Sequence, residues 1–195
     1  MSISVILLAA GESTRMSQNK ILLPWKGKTL LEYQLEQLGQ TTVEKTIVVL
    51  GSEADKLLPL IEKTARVSVT INPHYLSGRC SSIKAGVMML PAQSEAVIIL
   101  AIDQPRPHHL LEEMIEWHQS CGNLITVPIY GGRRGHPPIF SCSLFPELLQ
   151  ISEEKMGLRH IMRCHHAQVA ELLTSSPIAL VDLNNPCDYE RALGL

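Results

Sequence analysis

Short apolar runs rich in Val, Ile and Leu recur along this chain, and helix-period stretches separate them. That alternation restricts the fold more than any other feature. The runs at 4–9, 46–50, 67–71, 96–101 and 124–128 are short enough for strands and apolar along their length. Between them, 30–38, 54–64 and 82–90 carry apolar residues three and four apart, as the buried stripe of a helix requires. Pro59 falls inside the second of these, so that helix is expected to bend or start late. Strands that are apolar throughout and separated by helices indicate a parallel sheet covered on both faces. The expected class is therefore α/β: a single doubly wound, mostly parallel sheet with helices on both sides.

The rhythm changes in the last third. Gly131 and Gly132 suggest a turn and 136–140 a returning strand, while 143–151 and 157–163 suit helices. A final strand is expected at 178–183, before a helix opened by Pro186. No repeat, low-complexity stretch or linker interrupts the chain, and 195 residues suit one domain spanning 1–195.

Composition excludes several partner classes. Seventeen Lys and Arg against nineteen Asp and Glu leave a net charge of −2, which gives no general attraction to nucleic acid or to a membrane surface. Aromatic residues are only 4%, too few for base-stacking platforms. No apolar run approaches the roughly 20 residues of a membrane span. The first ten residues lack a basic region and read as a strand, not a signal peptide. The five cysteines are scattered and odd in number, which points to a reducing cytoplasmic setting. Cys164, His165 and His166 are adjacent, but neighbours on a helix point in different directions and no second ligand pair lies at zinc-like spacing. His108 and His109 read the same way.

In a doubly wound sheet the ligand lies beyond the carboxyl ends of the strands. The first strand runs into Gly11, Ser13, Thr14, Arg15 and Lys20. A glycine turn, two hydroxyls and two cations suit a polyphosphate, and a plain polar connecting loop is equally compatible with the composition. The dinucleotide fingerprint is absent, because position 13 is serine. Gly27, Lys28 and Thr29 end like a phosphate-binding P-loop, yet the required earlier glycine would fall on Leu22. The fourth strand ends at Asp103, where a carboxylate could hold Mg²⁺ against phosphate oxygens or could simply cap a turn. Together, the loop and the aspartate favour metal-dependent phosphoryl or nucleotidyl chemistry.

These residues also form a longer pattern. Leu8, Ala9, Ala10, Gly11, Ser13, Arg15, Met16, Lys20, Leu22, Leu23, Gly27 and Leu30 follow the signature L-A-A-G-x-S-x-R-M-G-x-x-K-x-L-L-x-x-x-G-x-x-L, with Ser17 in place of its second glycine. The chain thereby resembles the nucleotidyltransferases of the sugar-nucleotide and molybdenum-cofactor type. Asn72 with Gly78, Ser82 and Gly86 resembles a further segment of that family, and 100–105 resembles its metal-binding L-x-D-x-P. Gly135, His136, Pro137 and Phe140 resemble the G-H-P-x-x-F of the molybdenum cofactor cytidylyltransferase branch. Gly157 with Arg159 resembles that branch's G-x-R, and 182–189 its closing D-x-D-T-P-x-D-Y. Asn184 stands where the branch often has its second aspartate.

The resemblance implies a Mg²⁺-dependent transfer of CMP from CTP to the phosphate of the molybdenum pyranopterin cofactor, with release of pyrophosphate. A molybdenum hydroxylase apoenzyme would be a further partner. It implies a triphosphate cradle at Ala9, Ala10, Gly11 and Ser13, with Arg15 on the leaving phosphates and Lys20 at the α-phosphate. Asp103 would hold Mg²⁺, with Asn184 or Asp182 as second ligand; expected strand alternation puts those two on one face. Gly78 and Ser82 would read the base, since Arg79, Ser82 and Gly86 also resemble the R-x-x-S-V-x-x-G of an isoprenoid-pathway cytidylyltransferase. Arg134 and His136 would receive the acceptor. The alternatives are a sugar- or polyol-phosphate acceptor, or a non-catalytic chaperone that delivers the cofactor to a hydroxylase.

Overall fold

The computed structural model describes residues 1–12, 19–61 and 66–194. Strands β1 (Ile3–Ala9) and β6 (Ala96–Ala101) are buried at every position. They pair in parallel at the centre of the sheet. On one side follow β4 (Lys45–Leu50) and β5 (Val67–Ile71), both parallel. On the other, β9 (Ile139–Ser141) runs antiparallel between β6 and β7 (Ile125–Tyr130). The short β8 (Arg133–Arg134) folds back on β7, and β10 (Val169–Leu173) lies parallel to β7 at the edge. The order is β10-β7-β9-β6-β1-β4-β5. A separate two-stranded hairpin joins β2 (Pro24–Trp25) to β3 (Lys28–Thr29).

Alternation along the central strands builds two cores. Val5, Leu7, Ile98 and Leu100 face α1 (Leu30–Gly39), α2 (Ala54–Ile61) and α4 (His108–Cys121). Ile6, Leu8, Val97 and Ile99 face α3 (Arg79–Val87), α5 (Phe145–Leu148) and α6 (Leu158–Cys164). Each such aliphatic side chain contributes roughly 1.5–3 kcal/mol by leaving water, so the centre of the sheet is the rigid part of the molecule. Helix α3 approaches β1 closely because Gly86 has no side chain: a Cβ there would stand 2.5 Å from Ile6 Cγ2. The last helix, α7 (Pro186–Leu193), begins where Asn185 accepts the Asp188 N–H at 2.9 Å. It reaches back to the hairpin, where the Tyr189 hydroxyl donates to the Pro24 carbonyl.

The mostly parallel sheet with helices on both faces is as expected, but the last third departs in detail. The run 178–183 is not a strand. Its first part is a 3₁₀ turn (Pro177–Leu180), and the remainder follows no sheet edge. The face-sharing argument for Asp182 and Asn184 therefore fails; the two are joined by a tight turn in which Asn184 N–H donates to the Asp182 carbonyl at 3.0 Å. The edge strand is instead β10, which is only partly buried and carries Glu171 at its centre. The returning strand is confined to β9, and the helix expected at 143–151 is reduced to α5. Helix α4 has no counterpart among the sequence expectations, although Leu110, Leu111, Met114 and Ile115 supply the helical stripe. Among the described residues no helix is long and apolar enough to cross a membrane.

Candidate active site

The carboxyl ends of β1 and β6 open onto a cleft of about 340 Å³, which the start of α3 also lines. Its lining includes Ala10, Gly11, Lys20, Gly78, Ser82 and Asp103, which the sequence scatters over nearly a hundred positions. Of the remaining residues expected there, Ala9 turns its side chain into the core at 1% exposure. Ser13 and Arg15, like the Ser17 substitution, lie outside the described residues. Lys20 enters the cleft from a 3₁₀ turn (Lys20–Leu22) capped by the Asn19 side chain. Its Nζ lies 3.0 Å from Asp103 Oδ2, with both side chains largely buried.

The floor at the start of α3 is organised by Asn72, which is 3% exposed. Its amide Nδ2 donates to Ser81 Oγ at 2.8 Å and to Ser82 Oγ at 3.0 Å. Ser81 spends its hydroxyl hydrogen on the carbonyls of His74 and Gly78. Ser82 accepts from Asn72 and keeps a hydrogen to donate. Gly78 holds φ 111°, a conformation that favours glycine, and a Cβ there would meet Glu153 Oε1 at 2.5 Å. Its N–H is already given to the Tyr75 carbonyl at 3.2 Å. Gly78 therefore contributes shape at this point, while the polar reading falls to Ser82.

A second cavity of about 690 Å³ adjoins the first and shares Arg79 with it. Arg134, His136, Asp182 and Asn184 line it. Arg134 pairs with Glu171 at 2.6 Å. Asp182 Oδ1 accepts from Gln104 Nε2 at 2.6 Å, and Leu183 N–H donates to the Asp103 carbonyl at 2.9 Å. These two bonds fasten 182–184 to the end of β6, so the carboxylates expected to share a metal come from neighbouring segments. Burial holds the His136 imidazole below its ordinary pKa, with Arg79 and Arg106 acting in the same direction and Asp182 opposing them. Its Nδ1 is buried without a hydrogen-bond partner. Burial also pushes the Cys80 thiol up to about 11, helped by Glu153, so this lining cysteine is no nucleophile at neutral pH.

Chemically, two cavities that share Arg79, with Lys20 and Asp103 in one and Arg134, Asp182 and Asn184 in the other, suit the joining of two phosphate-bearing molecules. Comparison with known proteins agrees. A family model described as the MobA-like NTP transferase domain matches residues 5–170. The chain belongs to this family. It is a nucleotidyltransferase.

The molybdenum cofactor cytidylyltransferase of Escherichia coli is 28% identical over 194 residues, which cover 98% of this chain and 95% of that protein. The bifunctional protein GlmU of Mycobacterium marinum is 29% identical over 133 residues, 64% of this chain but only 27% of GlmU. A nucleotidyl transferase structure from Methanothermobacter thermautotroptrophicus superposes with a TM-score of 0.85 at 23% identity, covering 99% of this chain and 96% of that one.

The sequence expectations for this nucleotidyltransferase omit Arg106. Its side chain is fully buried, and its guanidinium donates to the carbonyls of Pro105, His136, Ala179 and Val181 at 2.8–3.1 Å. Burial brings its pKa down to about 10, against the opposing pull of Asp182 and Asp103, so it remains a cation at neutral pH. Its one available signal was an arginine directly after the Asp103-Gln104-Pro105 turn, which reads as a surface charge until the 177–183 segment is seen to cover it. Three histidines outside these two cavities are bonded elsewhere in the fold. His118 bonds Thr126 Oγ1 at 2.8 Å within the core, His108 bonds Gln37 at 3.1 Å, and His165 pairs with Glu147 at 2.9 Å. Among the described residues no group of three or more His, Cys, Asp or Glu is arranged to hold a metal.

Proposed function

We propose that this nucleotidyltransferase moves CMP from CTP to the phosphate of a molybdenum pyranopterin in a Mg²⁺-dependent reaction. The observation that carries the reading is the junction of the two cavities: Arg79 borders both, and Asp103 in the first is bonded through its carbonyl to Leu183 beside the second. A donor and an acceptor lying in them would meet there. The near full-length match to the Escherichia coli molybdenum cofactor cytidylyltransferase supports this choice of substrates.

The cleft takes the triphosphate, with the Gly11 backbone beside the phosphates and Arg15 from the first loop neutralising the leaving ones. An acceptor phosphate oxygen attacks the α-phosphorus. The bond from that phosphorus to the bridging oxygen of the β-phosphate breaks, and pyrophosphate departs. The acceptor is already ionised at neutral pH, so no general base is needed. Catalysis is then positioning and electrostatics. Lys20 exchanges part of its contact with Asp103 for the α-phosphate oxygens as their charge grows. Ser82 donates its remaining hydrogen to the cytosine edge. Arg134 and His136 receive the acceptor.

Asp103 in the first cavity and Asp182 or the Asn184 side-chain carbonyl in the second are hard oxygen donors, of the kind Mg²⁺ takes beside water and substrate phosphate. When bound, Mg²⁺ would supply charge neutralisation on the triphosphate. The test is pyrophosphate release from CTP, GTP, ATP and UTP with molybdenum pyranopterin or with sugar and polyol phosphates. Turnover of CTP with the pterin alone is expected. Turnover with a sugar phosphate would replace the acceptor, and tight pterin binding without turnover would make the protein a carrier.

A further inference from the structure

We propose that Arg106 is a positioning residue of the transfer site: a buried guanidinium that sets the place of Asp182 and His136 relative to Asp103. The inference rests on the nucleotidyl-transfer reading above and assigns a role to a residue that touches neither cavity.

The segment carrying Asp182 belongs to no strand, so its carbonyls have no sheet partners. Arg106 supplies them. Nη2 donates to Ala179 at 3.1 Å, and Nη1 and Nη2 both donate to Val181 at 3.0 Å. Nε donates at 2.8 Å to the carbonyl of His136, across the second cavity's wall from Val181. The same Ala179 carbonyl accepts the His136 N–H at 2.9 Å. One planar group thus holds both walls in register, and its own backbone is held in turn where Gln34 Oε1 accepts the Arg106 N–H at 3.3 Å. Asp103 lies three residues before Arg106, at the end of the rigid β6. The guanidinium therefore fixes two segments that belong to no strand relative to the end of β6.

Two further features fit this role. A Cβ at Gly135 would stand 2.2 Å from the Ala179 oxygen, so the two walls meet backbone to backbone with no slack. Among the described residues no carboxylate contacts the guanidinium directly; Asp182 and Asp103 act on it at longer range. Five N–H donors in a fixed fork can serve several carbonyls at once, which the single ammonium of lysine cannot do in the same geometry.

The experiment compares wild type with Arg106→Lys, Arg106→Met and Gly135→Ala. Gly135→Ala disturbs the same contact from the opposite wall and leaves Arg106 intact. Mn²⁺ affinity is read by electron paramagnetic resonance in the absence of acceptor, alongside CTP affinity and the KM of each substrate. All three variants should weaken Mn²⁺ binding and raise the acceptor KM by about tenfold or more, while CTP affinity changes less than about threefold. Arg106→Lys, which keeps the charge, should lie between wild type and Arg106→Met. Equal loss of CTP and acceptor binding, a fall in melting temperature alone, or failure of all the variants to fold would each overturn the proposal. If wild type uses another nucleotide or acceptor, the substrate reading fails, and the same selective pattern on that pair still decides the role of Arg106.

Discussion

Lys20 Nζ and Asp103 Oδ2 stand 3.0 Å apart, joining the turn that follows the first loop to the end of the fourth long strand. Neither local segment requires the other. The pair exists because β1 and β6 are adjacent parallel strands whose carboxyl ends emerge together. Each partner is also a group that phosphate chemistry would recruit, so on the proposed reading the ion pair is a resting arrangement that an incoming triphosphate would open.

Lys20→Ala is expected to lower kcat by about 10²–10³-fold, the typical loss when one preorganised donor to developing charge is removed. CTP affinity should change far less, since only interactions stronger in the transition state raise kcat. Single-turnover rates beside equilibrium CTP titration separate the two. An unchanged kcat with a raised KM would remove Lys20 from the chemical step.

Asp103→Asn keeps the shape and removes the charge that, on the proposed reading, holds a hard cation. Metal-dependent turnover should be lost while the fold survives, because the residue lies at a strand end outside both cores. Melting curves with and without Mn²⁺ give the check: a metal-induced rise is expected in wild type and should vanish in the variant, since selective binding is what raises stability. Full activity at low Mg²⁺ would make Asp103 a turn residue only.

The central sheet was legible because its signal is local. Strands β1, β4 and β6 are apolar over most of their length, β5 alternates Val, Ser, Val, Thr and Ile, and the period of the helices between them is independent of what they pack against. The cleft was legible for the same reason, since it lies where β1 and β6 end. The 178–183 segment was not. Its apolar run is buried like a strand, with Ala179 and Leu183 at 0% exposure, but the Ala179 and Val181 carbonyls are bonded by the Arg106 guanidinium, with the His136 N–H sharing the first, and not by a strand ladder. Only the three-dimensional position of Arg106 decides between those outcomes. Strand β10 failed in the opposite sense, because an edge strand needs few apolar residues and Glu171 interrupts its pattern.

Gly86→Ala tests the packing that sets α3 on the sheet. The added methyl would meet Ile6 Cγ2 at 2.5 Å, and Ile6 is itself fully buried. Overpacking of this kind costs typically 1–3 kcal/mol. Thermal or urea unfolding should report that loss.

His118 makes stability acid-sensitive. Burial depresses its pKa below 6.5, so the unfolded chain binds a proton that the folded one refuses. Stability is then flat above about pH 6.5 and falls as the pH drops from there toward the folded value, at no more than about 1.4 kcal/mol per pH unit for one group. His118→Gln should flatten that slope while lowering stability near pH 7, because Thr126 and Ser141 lose their present partner. Melting temperatures measured from pH 5 to 8 for both proteins decide it. An identical slope in the variant would assign the acid sensitivity to other groups.

On the proposed reading, nucleotide choice turns on Ser82. Asn72 fills its acceptor side at 3.0 Å, which leaves the hydroxyl hydrogen for a base in the cleft. A buried site built to hydrogen-bond one partner discriminates strongly, because the wrong partner leaves polar groups unpaired. Wild type should therefore favour CTP over GTP by at least about a hundredfold in kcat/KM. Ser82→Ala should erode that ratio by about tenfold, the order of one lost hydrogen bond in a dry pocket. Asn72→Ala should erode it as well, since Ser82 would then be free to turn its hydrogen elsewhere. Arg15→Ala should instead weaken all four triphosphates alike, because phosphates carry no base identity. A wild-type preference for GTP or ATP would overturn the cytidylyl assignment and leave the nucleotidyltransferase standing.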